Sequence, residues 1–378
     1  NSSMATKTYT QHLDHHSPLL QCSHSSDEES CSSLSHRTGT IWTAIAHIIT
    51  GVMGAGVLSL GWSLAQLGWL FGPPAIVVFA AVTGVSTSIL SDCYRSPHSD
   101  RNASFLQAVS CYLGQYCAVV TVFDYAIQLS ICTSICINAG EKNQRICAVL
   151  LNESLYGNVI AYTIATATSM RAILKSNCYH EQGHDAPCTY PDSIYMLLFG
   201  LVQIVMSQIP NFHDMAWLSV VAAIMSFAYS IIGLGLGFAS VVANGEIKGS
   251  IGGVSAASAT DKVWLVFQGL GDIAFAYPYS IILLEIQDTL KSPPSETRTM
   301  KKASRCAIII TTLFYLCCGS FAYAAFGNST PGNLLTGFGF YEPYWLVDLA
   351  NVCVVVHLVG GYQVAKRTGR VKGPEKLI

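Results

Sequence analysis

Eight apolar segments constrain this chain more than any other feature. They run over 41–70, 73–93, 146–174, 193–210, 214–243, 262–288, 305–326 and 343–363. A bilayer core takes about 20 apolar residues per helix. Backbone polar groups in lipid must be satisfied internally, by helices or by a closed barrel. These runs are long and do not alternate, so the pattern predicts helices. A ninth stretch, 116–139, is ambiguous, because it contains Asp124 and leads into Glu141-Lys142-Asn143-Gln144-Arg145. Only 11% of the 378 residues are charged, against roughly 25% in a soluble domain. That is too little charge to solvate the surface of a soluble enzyme. A net charge of -2 offers no footprint for nucleic acid. The expected fold class is an all-α polytopic membrane protein whose main partner is the lipid bilayer.

The few charges predict an orientation by the positive-inside rule. With the N-terminus cytoplasmic and 116–139 not crossing, sixteen of the 20 basic residues fall inside. They include Arg95, Arg101, the cluster Lys291, Arg298, Lys301, Lys302 and Arg305, and a tail from Lys366 to Lys376. Arg171, Lys175, Lys248 and Lys262 fall outside. A crossing at 116–139 lowers the split to twelve against eight, so eight crossings with both ends in the cytoplasm are expected. Residues 1–36 are polar, rich in Ser and His, and read as a disordered cytoplasmic tail without a signal peptide. Met4 is the expected start.

Two of the spans carry interruptions. The first contains Gly51-Val52-Met53-Gly54-Ala55-Gly56, and each glycine weakens a helix by about 1 kcal/mol. The sixth contains Gly269-Leu270-Gly271-Asp272 and then Phe275-Ala276-Tyr277-Pro278-Tyr279. Pro278 removes one helical hydrogen bond. Paired breaks at corresponding places in two halves point to a transporter binding site. Unwound backbone offers N–H groups to an anion and C=O groups to a cation, and a zwitterionic amino acid needs both. The competing reading is close helix packing on small residues.

The residues around these breaks carry a resemblance. Stretches such as Arg37-Thr38-Gly39-Thr40-Ile41-Trp42-Thr43-Ala44, Gly271-Asp272-Ile273-Ala274-Phe275-Ala276-Tyr277, Glu285-Ile286-Gln287-Asp288-Thr289, Pro331-Gly332-Asn333-Leu334-Leu335-Thr336-Gly337-Phe338 and His357-Leu358-Val359-Gly360 resemble the plant amino acid permeases of the amino acid/auxin permease family. The resemblance covers about 37–115 and 146–363. It implies a LeuT-type inverted-repeat fold with helices one and six broken. It also implies proton-coupled amino acid uptake across the plasma membrane, with amino acids as substrate, protons as the coupling ion and no other cofactor. The transporter domain is then 37–363, followed by a basic cytoplasmic tail, 364–378.

Two departures stand out against that pattern. Residues 116–145 read as an insertion, and the family pattern stops after Gln363-Val364, so the last helices of the second repeat are expected to be missing. A read-through intron and a truncated gene model would explain both. Full-length transcripts carrying only this reading frame would refute that explanation. The alternative function is a transport-inactive form that acts by association.

Ionisable side chains within spans are costly and usually face a cavity. His47 lies two turns before the first break and either exchanges a proton or fixes helix packing. Asp272, at the second break, either holds the coupling proton or caps a half-helix. His357 and Asp348 share the eighth span with Asn351 and form either a proton path or a structural polar seam. The substrate carboxylate is expected on the N–H groups of Gly54, Ala55 and Gly56, with the Tyr162 hydroxyl above it. The ammonium is expected on carbonyls near Phe275 and Ala276, and the side chain in a pocket near Phe275, Tyr277 and Phe338. Glu285 and Asp288 read as partners of Lys291, Lys301 or Lys302.

Cys178 and Cys188 bracket a loop placed outside. They are either a disulfide, which persists there, or two free thiols, with a zinc site through His180 and His184 as a remote third reading. The other Cys residues sit singly in spans, where Cys is a small apolar residue, and no metal site is expected. Gly233-Leu234-Gly235-Leu236-Gly237 follows no strand and reads as helix packing, not a nucleotide loop. Asn328-Ser329-Thr330 is a glycosylation sequon of low specificity. No Ser-His-Asp order or HExxH pattern points to an enzyme.

Overall fold

The computed structural model describes residues 37–54, 56–96, 101–112, 140–183, 185–208, 216–277, 279–338 and 343–368. The tail 1–36, the segment 116–139, Ala55, Pro278, His184 and the end from 369 lie outside these described residues. Every regular element among the described residues is helical. In chain order they are α1 (Ile41–Val52), α2 (Gly56–Asp92), α3 (Phe105–Tyr112), α4 (Gly140–Gln182), α5 (Asp192–Met206), α6 (Ala216–Asn244), α7 (Ala259–Phe275), α8 (Ser280–Asp288), α9 (Glu296–Phe326), α10 (Leu334–Gly337) and α11 (Tyr344–Thr368). Among the described residues, five stretches are long and apolar enough to cross a membrane: Gly56–Asp92, Val220–Asn244, Ala259–Asp288, Glu296–Ser329 and Tyr344–Gln363. Ile41–Val52 and Asp192–Met206 are shorter apolar helices.

Local chemistry sets the ends of these helices. Thr40 and Thr43 form a reciprocal capping box that opens α1, each side chain accepting from the other's backbone N–H. The boundary between the first two spans differs from the one read at residues 71–72. It falls at Gly68, where φ is 76°, a conformation costly for any residue with a Cβ. A Cβ at Gly68 would also stand 2.2 Å from the Ile251 carbonyl oxygen. The kink frees backbone groups on both sides of it. Trp69 and Leu70 donate their N–H groups to Ser250 and Ile251. On the other side, Lys262 Nζ donates to the carbonyls of Gln66, Gly252 and Val254 at 2.8–2.9 Å. Loop 248–254 thus completes the end of one helix and the start of the next.

The third span also differs from the expected 146–174. It extends over Gly140–Gln182 and takes in Glu141, Lys142 and Arg145, which lie before the apolar run. At about 1.5 Å per residue its 43 residues reach about 65 Å, twice the hydrocarbon thickness, so its charged ends extend past the apolar layer.

The helices pack with α9 along α2, α7 against α2, and α11 against α6 and α4. Ile48, Leu60, Leu64, Ile76, Ile273, Leu283 and Leu284 are buried among them. The outward faces are apolar too: Leu197, Leu201 and Val205 on α5 and Ile309 and Leu313 on α9 are each about 60–75% exposed. Apolar faces this extensive mark a lipid-facing surface, and the chain is an integral membrane protein.

Contacts outside the helices fall into two groups. At one end, Lys248 donates its N–H to the Ala324 carbonyl, Ser250 meets Asn328, and Cys178 is joined to Cys188. At the other, Gly39 pairs with the chain just after α8, donating to Thr289 and accepting from Lys291. There Arg95 also pairs with the buried Glu296, Tyr94 donates to Asp288, and Lys301 pairs with Asp92.

Candidate functional site

The interruptions in the first and sixth spans come together in the middle of the helical unit. Between α1 and α2, Met53 leaves the helical conformation at ψ 68°, and the Gly54 N–H turns back to the Val52 carbonyl. Between α7 and α8, residues Ala276 to Tyr279 separate the two half-helices. Gly56 sits directly on the second break: a Cβ there would lie 3.2 Å from Ala276 Cα. The missing side chain is what lets the two breaks touch.

Three hydroxyls supply donors to the carbonyls that the first break frees. Tyr315 Oη, from α9, stands 2.7 Å from the Val52 oxygen and 2.8 Å from the Ala276 oxygen. A phenol has one proton, so this single donor is shared between the two breaks. Tyr229 Oη, from α6, lies 2.9 and 3.0 Å from the Met53 and Gly54 oxygens. Ser226 Oγ lies 3.1 Å from the Met53 oxygen. All three groups are buried. The backbone N–H of Gly56 has no partner among the described residues.

His357 completes this wall. Its Nδ1 lies 2.9 Å from the Ala222 carbonyl oxygen and 2.7 Å from Ser226 Oγ. A carbonyl only accepts, so Nδ1 carries the hydrogen and Nε2 of the neutral ring is left with its lone pair. Nε2 points to the break: it lies 4.0 Å from where a Cβ on Gly54 would stand, with Tyr162 Oη 3.9 Å from the same point. A small polar niche over Gly54 is therefore lined by an acceptor nitrogen and a phenol.

Asp272 occupies a different place. Its two oxygens accept from Ser59 and Ser63, which lie on the first half of α2. It links α7 to α2 and does not cap a half-helix end. His47, seven residues before Gly54, is half-buried and makes no hydrogen bond with a described residue. Asp348 lies nine residues before His357 on α11, two and a half turns away and on the opposite face. One of its oxygens is buried without a partner among the described residues. Of the residues expected around the substrate side chain, Tyr277 and Phe338 each have a ring partner of their own. Tyr277 donates to Thr312 and packs edge-on against Tyr315, whereas Phe338 packs on Phe326. The Ala276 carbonyl, expected at a substrate ammonium, already faces Tyr315.

Sequence reasoning missed Ser59, Ser63, Ser226, Tyr229 and Tyr315. The signal for the tyrosines was present, since a Tyr in the middle of an apolar span needs a partner for its hydroxyl.

A family model described as transmembrane amino acid transporter protein matches residues 37–367. The chain belongs to the transmembrane amino acid transporter family. It is 58% identical over 338 residues to probable amino acid permease 7 of Arabidopsis thaliana, covering 88% of this chain and 67% of that one. It is 52% identical over 333 residues to amino acid permease 3 and 50% identical over 333 residues to amino acid permease 2 of the same plant, covering 87% of this chain and 64% and 62% of those proteins. The chain thus spans about two thirds of the length of these relatives. The family is one of transporters, and the chain is not an enzyme.

Proposed function

We propose that this chain is the substrate-binding part of a proton-coupled amino acid symporter of the plasma membrane, working by alternating access. The observation that carries this reading is the meeting of the two breaks, with the Tyr315 hydroxyl shared between Val52 and Ala276 and the His357 and Tyr162 side chains over Gly54. The fold is a LeuT-type inverted repeat in which α1 with the start of α2 is the first broken helix and α7 with α8 the sixth. The N-terminus is cytoplasmic, which sets the Cys178–Cys188 bond on the oxidising side. Residues 1–36 and 364–378 are cytoplasmic tails around the transporter domain 37–363.

In the mechanism, the substrate carboxylate docks at the Gly56 N–H and its neighbours, where a half-helix N-terminus favours an anion. The Tyr162 hydroxyl donates to it. His357 Nε2 accepts the coupling proton, or Asp272 does so from its place between α7 and α2. Protonation removes or balances interior charge, so that the loaded carrier reorients without burying an unpaired ion. His47 and Asp348 are assigned lesser parts, because neither is brought to the niche.

Expression in oocytes tests this reading. Amino acids should evoke inward currents that grow as the external medium is acidified. Absence of current despite full surface labelling would sink it. That result would favour a transport-inactive form.

A further inference from the structure

A second polar cavity, of about 520 Å³, lies at the disulfide end of the molecule. One wall is α4, which contributes Thr168, Arg171 and Lys175. These are spaced three and four residues apart and share one helix face. Thr189, on the segment following the disulfide, and Asn333 and Thr336, from α10 and its cap, line the other sides. The Cys178–Cys188 bond ties this segment to α4 within one turn of Lys175, so the walls are held together covalently. The cavity is distinct from the breaks. Tyr162, which faces Gly54, precedes Arg171 by two and a half turns, about 13 Å along the helix and on its opposite face.

The charge of the lining is one-sided. Arg171 and Lys175 are cationic, and none of the described lining residues is acidic. Asp192 pairs with Arg171 through Nη1 at 2.6 Å, which orients the guanidinium. Its remaining donors have no partner among the described residues. The free oxygen of Asp192 is itself buried, so it does not reach into the cavity. The hydroxyls of Thr168 and Thr189 donate to no described residue. A guanidinium, an ammonium that also stands 5.4 Å over the Tyr179 ring and two hydroxyls around one space match a carboxylate, and no described lining residue carries a negative charge to balance an ammonium.

We propose that this cavity is a docking site for amino acid carboxylates, selective for amino acids of net negative charge and separate from the breaks. The proposal deepens the transport reading and rests on it for its physiological meaning. Lys175→Gln should raise the KM for glutamate about fivefold, as expected for loss of one partly exposed charge contact. The KM for alanine should move less than twofold, and Lys175→Arg should restore the value for glutamate. Equal shifts for both amino acids, or no shift in either, would overturn the proposal.

Direct labelling separates this outcome from failure of the transport reading. In the purified full chain, glutamate should slow modification of Lys175 by an amine-reactive reagent, while equimolar inorganic phosphate should do so less and equimolar alanine should not. Protection by phosphate as strong as by glutamate means an indiscriminate anion site and refutes the proposal, as does no protection at all.

Discussion

Among the described residues, the hydroxyl of Tyr315 is the side-chain donor that touches carbonyls of both breaks. Tyr315→Phe keeps the ring and removes the proton, leaving two buried carbonyls one donor short, at a cost of about 1–3 kcal/mol. The expected outcome is a lower thermal midpoint of the purified protein and weaker amino acid-evoked currents at equal surface level. Unchanged values in both measurements would show that the breaks do not depend on this bond. Proton coupling belongs to the same scale. His357→Gln and Asp272→Asn should each flatten the dependence of uptake on external pH. A wild-type profile in both variants would remove the two residues from the coupling role. His47→Ala, which removes a side chain without a hydrogen bond to a described residue, should leave the profile in place. The identities of His357, Asp272 and Tyr162 as candidates were legible in the sequence, because polar groups are rare in apolar spans. Their division of labour was not. His357 and Asp348 share a helix, but their spacing of nine residues sets them on opposite faces. Asp272 turns to two serines that carry no sequence signal of their own.

At the scale of elements, the breaks and the kink do different work. The breaks expose backbone, and partners from α6 and α9 partly satisfy it again. At the kink, the loop after α6 supplies carbonyl acceptors and Lys262 supplies donors. Gly68→Ala introduces a Cβ at φ 76° against the Ile251 carbonyl oxygen. Strain in this backbone region costs about 1 kcal/mol or more before any clash is counted. We expect little or no folded protein at the cell surface, measured by surface labelling. Near-normal levels would mean that loop 248–254 yields readily. The first break falls within the glycine cluster Gly51–Gly56, as expected, because glycines act locally; the second falls after Phe275, and Gly269, Gly271 and Asp272, also expected at the interruption, lie inside an unbroken helix. The sequence puts the first interhelical boundary three residues late. Gly68 looks like any other glycine until the loop that presses on it is in place, and the apolar pattern runs through the kink without interruption. The third span was drawn short for a related reason: hydropathy marks where lipid begins, not where the helix stops.

For the whole molecule, the grouping of contacts at two ends yields an orientation test. After mild reduction of intact cells, an impermeant maleimide should label Cys178 and Cys188 from the medium. Labelling only after permeabilisation would reverse the proposed topology. Scarcity of charge and the length of the apolar runs determined, from the sequence alone, that this chain folds as helices in a bilayer. Hydrogen bonding of the backbone in lipid leaves so few choices that composition nearly suffices. Local glycine and proline chemistry determined where two of those helices break. Only the tertiary structure decided what meets at the breaks. A tyrosine on α9, a serine and a tyrosine on α6 and a histidine on α11 are far apart in the chain. Helix packing, which depends on the shape of whole faces, brings them around one glycine. The same holds for the basic cavity beside the disulfide, whose cations come from one helix and whose hydroxyls come from three separate segments.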